Sequence, residues 1–357
     1  MFRFLRISPV AAIGLFGFLV PLAVYAQRGS FTVGTVTAAT GETATGYIEV
    51  PAGVDAAYQI PVAVVRGAKP GPVLAIVSGS HGTEYASIIA VERLIQHLDA
   101  KEISGTVILV PLVNVNSFEE KVPHLNPVDG KNMNRMYPGK PDGTQTERAS
   151  WLMNKDVIER CDYLIDLHGG DLDENLRPYS YWPQTGNEQL DTITHGMILA
   201  FGLDHIIIQD SRSLDPNNSR YLDAAALSLR KPAIIAEAGY AGTVEPQDVN
   251  AIAHGAVNVM RYLKMLPGDA PPVENPVWFS KVVTVASDQT GIFYPLVEKR
   301  TYVQAGMKVA YVTDFFGKTI EDVRAPVTGV VLYICAVPSM KKGNTMVDIG
   351  VIAAQAP

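Results

Sequence analysis

Cysteine is nearly absent. Cys161 and Cys335 are the only two in 357 residues, too few for a fold built on a disulfide framework. Each adjoins an apolar strand-like run, Tyr163-Leu164-Ile165 after the first and Val330-Val331-Leu332 before the second, so both are read as buried thiols rather than as a bridge. Basic clusters are missing as well. The 29 Lys and Arg are scattered among 36 Asp and Glu, and a net charge of -7 is repelled by phosphate backbones, which argues against a nucleic-acid partner. There is no internal repeat and no low-complexity tract, which excludes solenoids and compositional linkers. The apolar stretch between Pro9 and Pro21 falls short of the ~20 residues of a spanning helix.

That stretch belongs to an export signal. Arg3 and Arg6 precede the apolar run through Val20, and Val24-Tyr25-Ala26 supplies small residues before Gln27, so residues 1–26 are expected to be removed and the mature chain secreted or periplasmic, with no stable membrane anchor. A composition 47% hydrophobic and 18% charged describes an ordinary globular protein, long enough for two domains.

Leu266-Pro267-Gly268-Asp269-Ala270-Pro271-Pro272 marks a boundary between them, because three prolines and a glycine interrupt both helix and central strand. Upstream, in 27–268, apolar runs alternate with helical periodicity. Val73 to Val77 leads into a helix carrying Ile88, Val91, Ile95 and Leu98, and Val107 to Val113 is a second buried run. A helix near Thr146 to Arg160, strands at Tyr163 to Leu167, Ile206 to Ile208 and Ala233 to Ala236, and helices near Asn187 to Phe201, Ser219 to Leu229 and Gln247 to Met265 follow. Such alternation predicts an α/β sheet covered on both faces. Downstream, in 269–357, turn residues punctuate short strands, and a small all-β module is expected.

In an open α/β sheet the ligand site lies beyond the carboxyl ends of the strands. His81 follows Val73 to Val77, His168 follows Tyr163 to Leu167, and Glu237 closes Ala233 to Ala236, each beside glycine. Zinc catalysis needs about three N or O ligands, an open position for water and a carboxylate to take its proton. His81, Glu84, His168 and Glu237 form that set. Taken singly, each admits a plainer reading: a hydrogen-bonding loop histidine, a chance His-x-x-Glu, an Asp166 that caps a turn, a salt-bridged core Glu237. Their coincidence at strand ends favours the metal. His97, His195, His205 and His254 have no ligand-like neighbours in sequence and are read as surface or satisfied positions.

His81-Gly82-Thr83-Glu84, Pro127 through Gly139, Asp166 through Tyr179 and Glu237-Ala238-Gly239 together resemble the succinylglutamate desuccinylase and aspartoacylase family, relatives of the zinc carboxypeptidases, over nearly the whole mature chain. The resemblance implies one zinc per chain held by His81, Glu84 and His168, Glu237 as general base, and Asn134 and Arg135 holding a substrate carboxylate. It also implies a zinc-carboxypeptidase-like sheet followed by a barrel-sandwich module beside the active-site mouth. Two positions depart from the family. His124 stands where an arginine polarises the scissile carbonyl, and it either donates to the oxyanion in that place or caps a loop. Asn132 stands where relatives commonly have Asp.

The chemistry expected is deacylation of a small N-acyl amino acid or related amide. Zinc brings the pKa of its bound water to about 7, Glu237 takes the proton and passes it to the leaving nitrogen, and Arg135 with Asn134 selects a carboxylate. Asp166 either orients a ligand imidazole or is structural. A zinc carboxypeptidase or cell-wall peptide amidase is the nearest alternative. An exported zinc or small-molecule binding protein without chemistry is a third, against which the presence of Glu237 argues. The acyl group, leaving amine and oligomeric state are not legible.

Overall fold

The computed structural model describes residues 29–210, 212–271 and 273–357; the expected export signal, 1–26, lies outside them. A 13-stranded mixed sheet runs through the protein, and four later strands form a separate antiparallel sheet. At its centre Ser104–Val110, Lys69–Ser78, Tyr163–His168 and Ala233–Glu237 lie side by side in parallel. Parallel neighbours end at one edge, so the residues following these strands converge there.

Strand alternation explains why both faces are covered. Leu74, Ile76, Ile165 and Leu167 point into a core with Val91, Met197, Phe201, Val249 and Ile252 of the helices Tyr85–His97, Glu188–Phe201 and Pro246–Tyr262. Ala75, Val77 and Leu164 point the other way, onto Ala149, Met153, Leu222 and Ala226 and onto the N-terminal strands Ser30–Val33 and Val36–Ala39. Period-2 side-chain direction sorts one apolar run into two cores. The helix expected at Thr146 to Arg160 starts at Gln145 behind a capping box made by Thr144 and Glu147, and passes into a π-helical turn at Met153–Ile158. The strands between Ser30 and Arg66, and the short pair Glu174–Leu176 and Tyr179–Pro183, lie outside the elements read from sequence.

Beyond the proline-rich stretch the chain stays in the same sheet. Val277–Ala286 pairs in parallel with His205–Gln209 and antiparallel with Thr345–Ile352, which pairs with Gly329–Cys335. Gly329–Cys335 also accepts the edge strand Glu174–Leu176 from the first half. Thr319–Arg324, Lys308–Thr313, Gly291–Pro295 and Ser339–Met340 make the second sheet, and both sheets contribute to one core containing Phe293, Val309, Val331, Val347 and Ile349. A small seam, Leu176, Tyr179, Ile207, Phe279, Leu332 and Tyr333, ties the halves together. Cys161 and Cys335 are free and buried in different cores.

Candidate active site

Three strand ends build the site. His81 stands in the turn after Lys69–Ser78, Glu84 at the start of the following helix, and His168 and Glu237 are the last residues of adjacent parallel strands, directly opposite each other in register. Gly169 and Gly170, both at positive φ, have a packing reason for being glycine. A Cβ there would stand 2.5 Å from Ala238 N and 2.4 Å from Gly239 C, so two backbone turns pass at a distance no side chain allows.

The carboxylate of Glu84 bridges the two imidazoles. Its Oε1 lies 2.6 Å from His81 Nδ1 and its Oε2 2.9 Å from His168 Nδ1, and the candidate ligand atoms all fall within 4.8 Å of one another. The outer nitrogens decide what this means. His81 Nε2 lies 3.1 Å from Asn132 Oδ1, an acceptor, so this nitrogen donates outward while Nδ1 faces the carboxylate. A cation, whether a proton or a metal ion, lets a ring nitrogen and a carboxylate stand at that distance. On His168, Nε2 lies 3.1 Å from Asp166 Oδ1 and 3.0 Å from Asn134 Nδ2, the carboxylate–histidine arrangement that orients a metal-bound ring. Asp166 is wholly buried and, among the described residues, neither of its oxygens makes a hydrogen bond, so its contact with His168 is one of charge. The donor set therefore fits a divalent cation, and Asn132 supplies a carbonyl oxygen behind His81 despite its lost charge. Burial alone would raise the Glu84 carboxyl, but the charges of His168 and His81 hold it well below the ordinary carboxylate range.

Glu237 faces the same cavity, of about 690 Å³. Burial drives its carboxyl well above the usual range; His168 opposes this, and Glu84, Glu174 and Asp166 add to it. His124 also lines the cavity, its ring edge-on to His81 with centroids 5.6 Å apart. Its Nδ1 lies 3.1 Å from Asp171 Oδ2 and its Nε2 3.1 Å from Asp173 Oδ1. Burial opposes the charged ring, yet Asp173 and Asp171 hold its pKa up at about 9. Both ring nitrogens are thus occupied by carboxylates. Asp171 is the hub, accepting also from Thr83 Oγ1 and from the His124 amide.

The Asn134 and Arg135 pair is split in role. Asn134 is buried, its amide spent on His168 and on the Leu222 amide. Arg135 lines the cavity with its guanidinium 4.6 Å from the centre of the Tyr221 ring. Arg212, not singled out from sequence, approaches the same ring at 4.5 Å and pairs with Asp223. Glu174, Tyr179, Tyr181 and, from the C-terminal half, Tyr333, Ser339 and Asp348 complete the walls. Glu174 and Tyr179 lie in the segment that resembles the family; the others carry no local motif.

Residues 70–263 match the family model described as the succinylglutamate desuccinylase/aspartoacylase catalytic domain. The chain belongs to this family. It is 26% identical over 314 residues to the N-alpha-acetyl-L-2,4-diaminobutyric acid deacetylase of Halomonas elongata, covering 85% of this chain and 90% of that protein. Its fold matches the product-bound ectoine utilization protein EutE of Ruegeria pomeroyi, with a TM-score of 0.81 at 22% identity over 91% of this chain and all of that one. It also matches a succinylglutamate desuccinylase from Silicibacter sp. TM1040, with a TM-score of 0.79 at 22% identity over 87% of this chain and 95% of that one.

Proposed function

We propose that this protein is an exported, zinc-dependent amidohydrolase that deacylates a small N-acyl amino acid. The observation that carries the reading is the pair of imidazole Nδ1 atoms converging on one carboxylate, with Glu237 opposite His168 in the same cavity. Similarity to the Halomonas deacetylase, which acts on the acylated α-nitrogen of an amino acid by its name, supports the substrate class. The zinc-carboxypeptidase-like reading of the sheet and the barrel-sandwich reading of the C-terminal half belong to the same proposal.

His81, Glu84 and His168 would hold the zinc. When bound, zinc supplies a Lewis acid for the scissile carbonyl and for the attacking water. Glu237 accepts the proton of that water. The same carboxyl then returns the proton to the leaving nitrogen. Asn132, Asp166 and Asn134 fix the two rings from behind. Arg135, with Asn134 keeping its loop in place, takes the substrate carboxylate by charge-assisted hydrogen bonds. His124 enters as a charged donor at the cavity wall, and to reach an oxyanion it must exchange its bond to Asp173.

The test is amine release by the zinc-loaded protein from N-acetyl and N-succinyl amino acids, set beside dipeptides and muropeptides. Turnover of the acyl amino acids is expected to dominate. Cleavage confined to the peptides would move the assignment to a peptidase, and no cleavage in either set would favour a binding protein.

A further inference from the structure

The second sheet carries a feature that the chemistry above leaves unused. Between the strands Lys308–Thr313 and Thr319–Arg324 the chain turns through Asp314-Phe315-Phe316-Gly317-Lys318. Asp314 Oδ1 accepts from the amides of Phe316 and Lys318, each at 2.9 Å, and Gly317 takes the positive φ that closes the turn. The turn is thus fixed without the phenylalanine rings. Phe315 is 73% and Phe316 97% exposed, at positions where small and polar residues are the rule. Neither belongs to the core of this half. Two apolar rings on a rigid tip add nothing to the packing of the fold and mark a contact surface.

The fold gathers around this tip lysines that lie apart in sequence. Ile292 pairs with Thr313 on one side and with Ser339 on the other, and Gly291 pairs with Met340. The hairpin tip and the turn after Met340 therefore leave the sheet at the same end, two strand spacings or roughly 10 Å apart. Lys318 stands in the first turn, Lys341 and Lys342 in the second; all three are exposed, and none forms an ion pair among the described residues. The carboxylates there are drawn inward, Asp314 by the turn amides and Glu321 by the Ser287 hydroxyl and the Asp288 amide. Asp288 itself is exposed, so the exposed lysines outnumber the exposed carboxylates at this end. The net charge of -7 does not cancel that excess, because charges beyond about 8 Å are screened at physiological salt.

We propose that this end of the C-terminal half docks reversibly on an anionic lipid surface, with Phe315 and Phe316 inserted at the acyl boundary and Lys318, Lys341 and Lys342 against the phosphates. Aromatic rings bordered by ammonium groups match that boundary in both polarity and charge. A symmetric pair of chains would bury the same rings but set these lysines against each other. The turn that carries Lys341 and Lys342 also lines the cavity through Gly343 and Asn344, so docking holds the cavity beside the bilayer. The inference does not depend on the deacylase reading.

Cosedimentation tests it, on the chain without residues 1–26 so that their apolar run does not itself bind lipid. Vesicles of phosphatidylglycerol mixed with phosphatidylcholine are compared with vesicles of phosphatidylcholine alone. Wild type should bind the anionic vesicles roughly tenfold or more tightly at low salt, and high salt should erase that margin. Phe315→Ser with Phe316→Ser should weaken binding by about tenfold per ring, and Lys341→Gln with Lys342→Gln by about fivefold per charge, with the thermal midpoint unchanged in both. No vesicle binding by wild type, or equal binding by wild type and the folded serine variant, would overturn the inference. A wild-type dimer that the serine variant dissolves, without vesicle binding, would overturn it in favour of self-association. The lysine variant and the comparison of the two lipids decide the matter even where the serine variant fails to fold.

Discussion

The α/β half and the C-terminal β half share a sheet but contribute differently to the cavity. In the first, parallel strands bring His81, His168 and Glu237 to one edge, where backbone turns pass too closely for any residue but glycine. In the second, antiparallel strands surround a separate core and present scattered polar side chains to the cavity, Tyr333, Ser339 and Asp348. The candidate catalytic residues therefore sit at strand ends and turns whose backbone is constrained. The side chains from the second half stand on regular strands, where a residue can be exchanged without disturbing the turns beneath the candidate metal site.

The sharpest way to break this division is to remove a metal ligand. His168→Ala should abolish activity and release the zinc while the fold persists, since its ring contacts Glu84, Asp166 and Asn134 and belongs to no apolar core. Elemental analysis checks it. Full zinc occupancy in that variant would remove His168 from the ligand set.

A smaller effect tests whether the halves are one cooperative unit. Phe279 is fully buried in the seam between them, with Gly350 packed against its ring. Phe279→Ala should cost about 3–5 kcal/mol and lower the midpoint of a single thermal transition followed by circular dichroism. Two transitions of which only one moves would mean that the shared sheet does not couple the halves.

The same contrast decides how much could be read from the chain. The glycine-flanked strand ends were legible because the residues a metal needs recur there with a turn signal on each side, and the structure brings His81, Glu84, His168 and Glu237 to one cavity. Burial on both faces followed from continuous apolar runs such as Val73 to Val77. Asp348 was not legible. Between Val347 and Ile349, both buried, it reads as the outward residue of an alternating strand, and only the pairing of that strand turns its face toward the metal site. Asn134, read from its motif as a substrate contact, lines the cavity beside Arg135, and its amide also meets His168 and the Leu222 backbone. Arg212 arrives from a loop with no motif and declares itself through the Tyr221 ring.

The central claim, that a zinc site and a separate proton acceptor act together on an amide, is met most directly by Glu237→Gln. The amide keeps the size of the side chain and removes its basicity, and Glu237 stands apart from the His81, Glu84 and His168 cluster. Metal content and amine release from an Nα-acetyl amino acid are measured on the same preparation. The account predicts full zinc occupancy with turnover lower by roughly two to four orders of magnitude, the range of general acid–base catalysis. Near-normal turnover with zinc retained would contradict it.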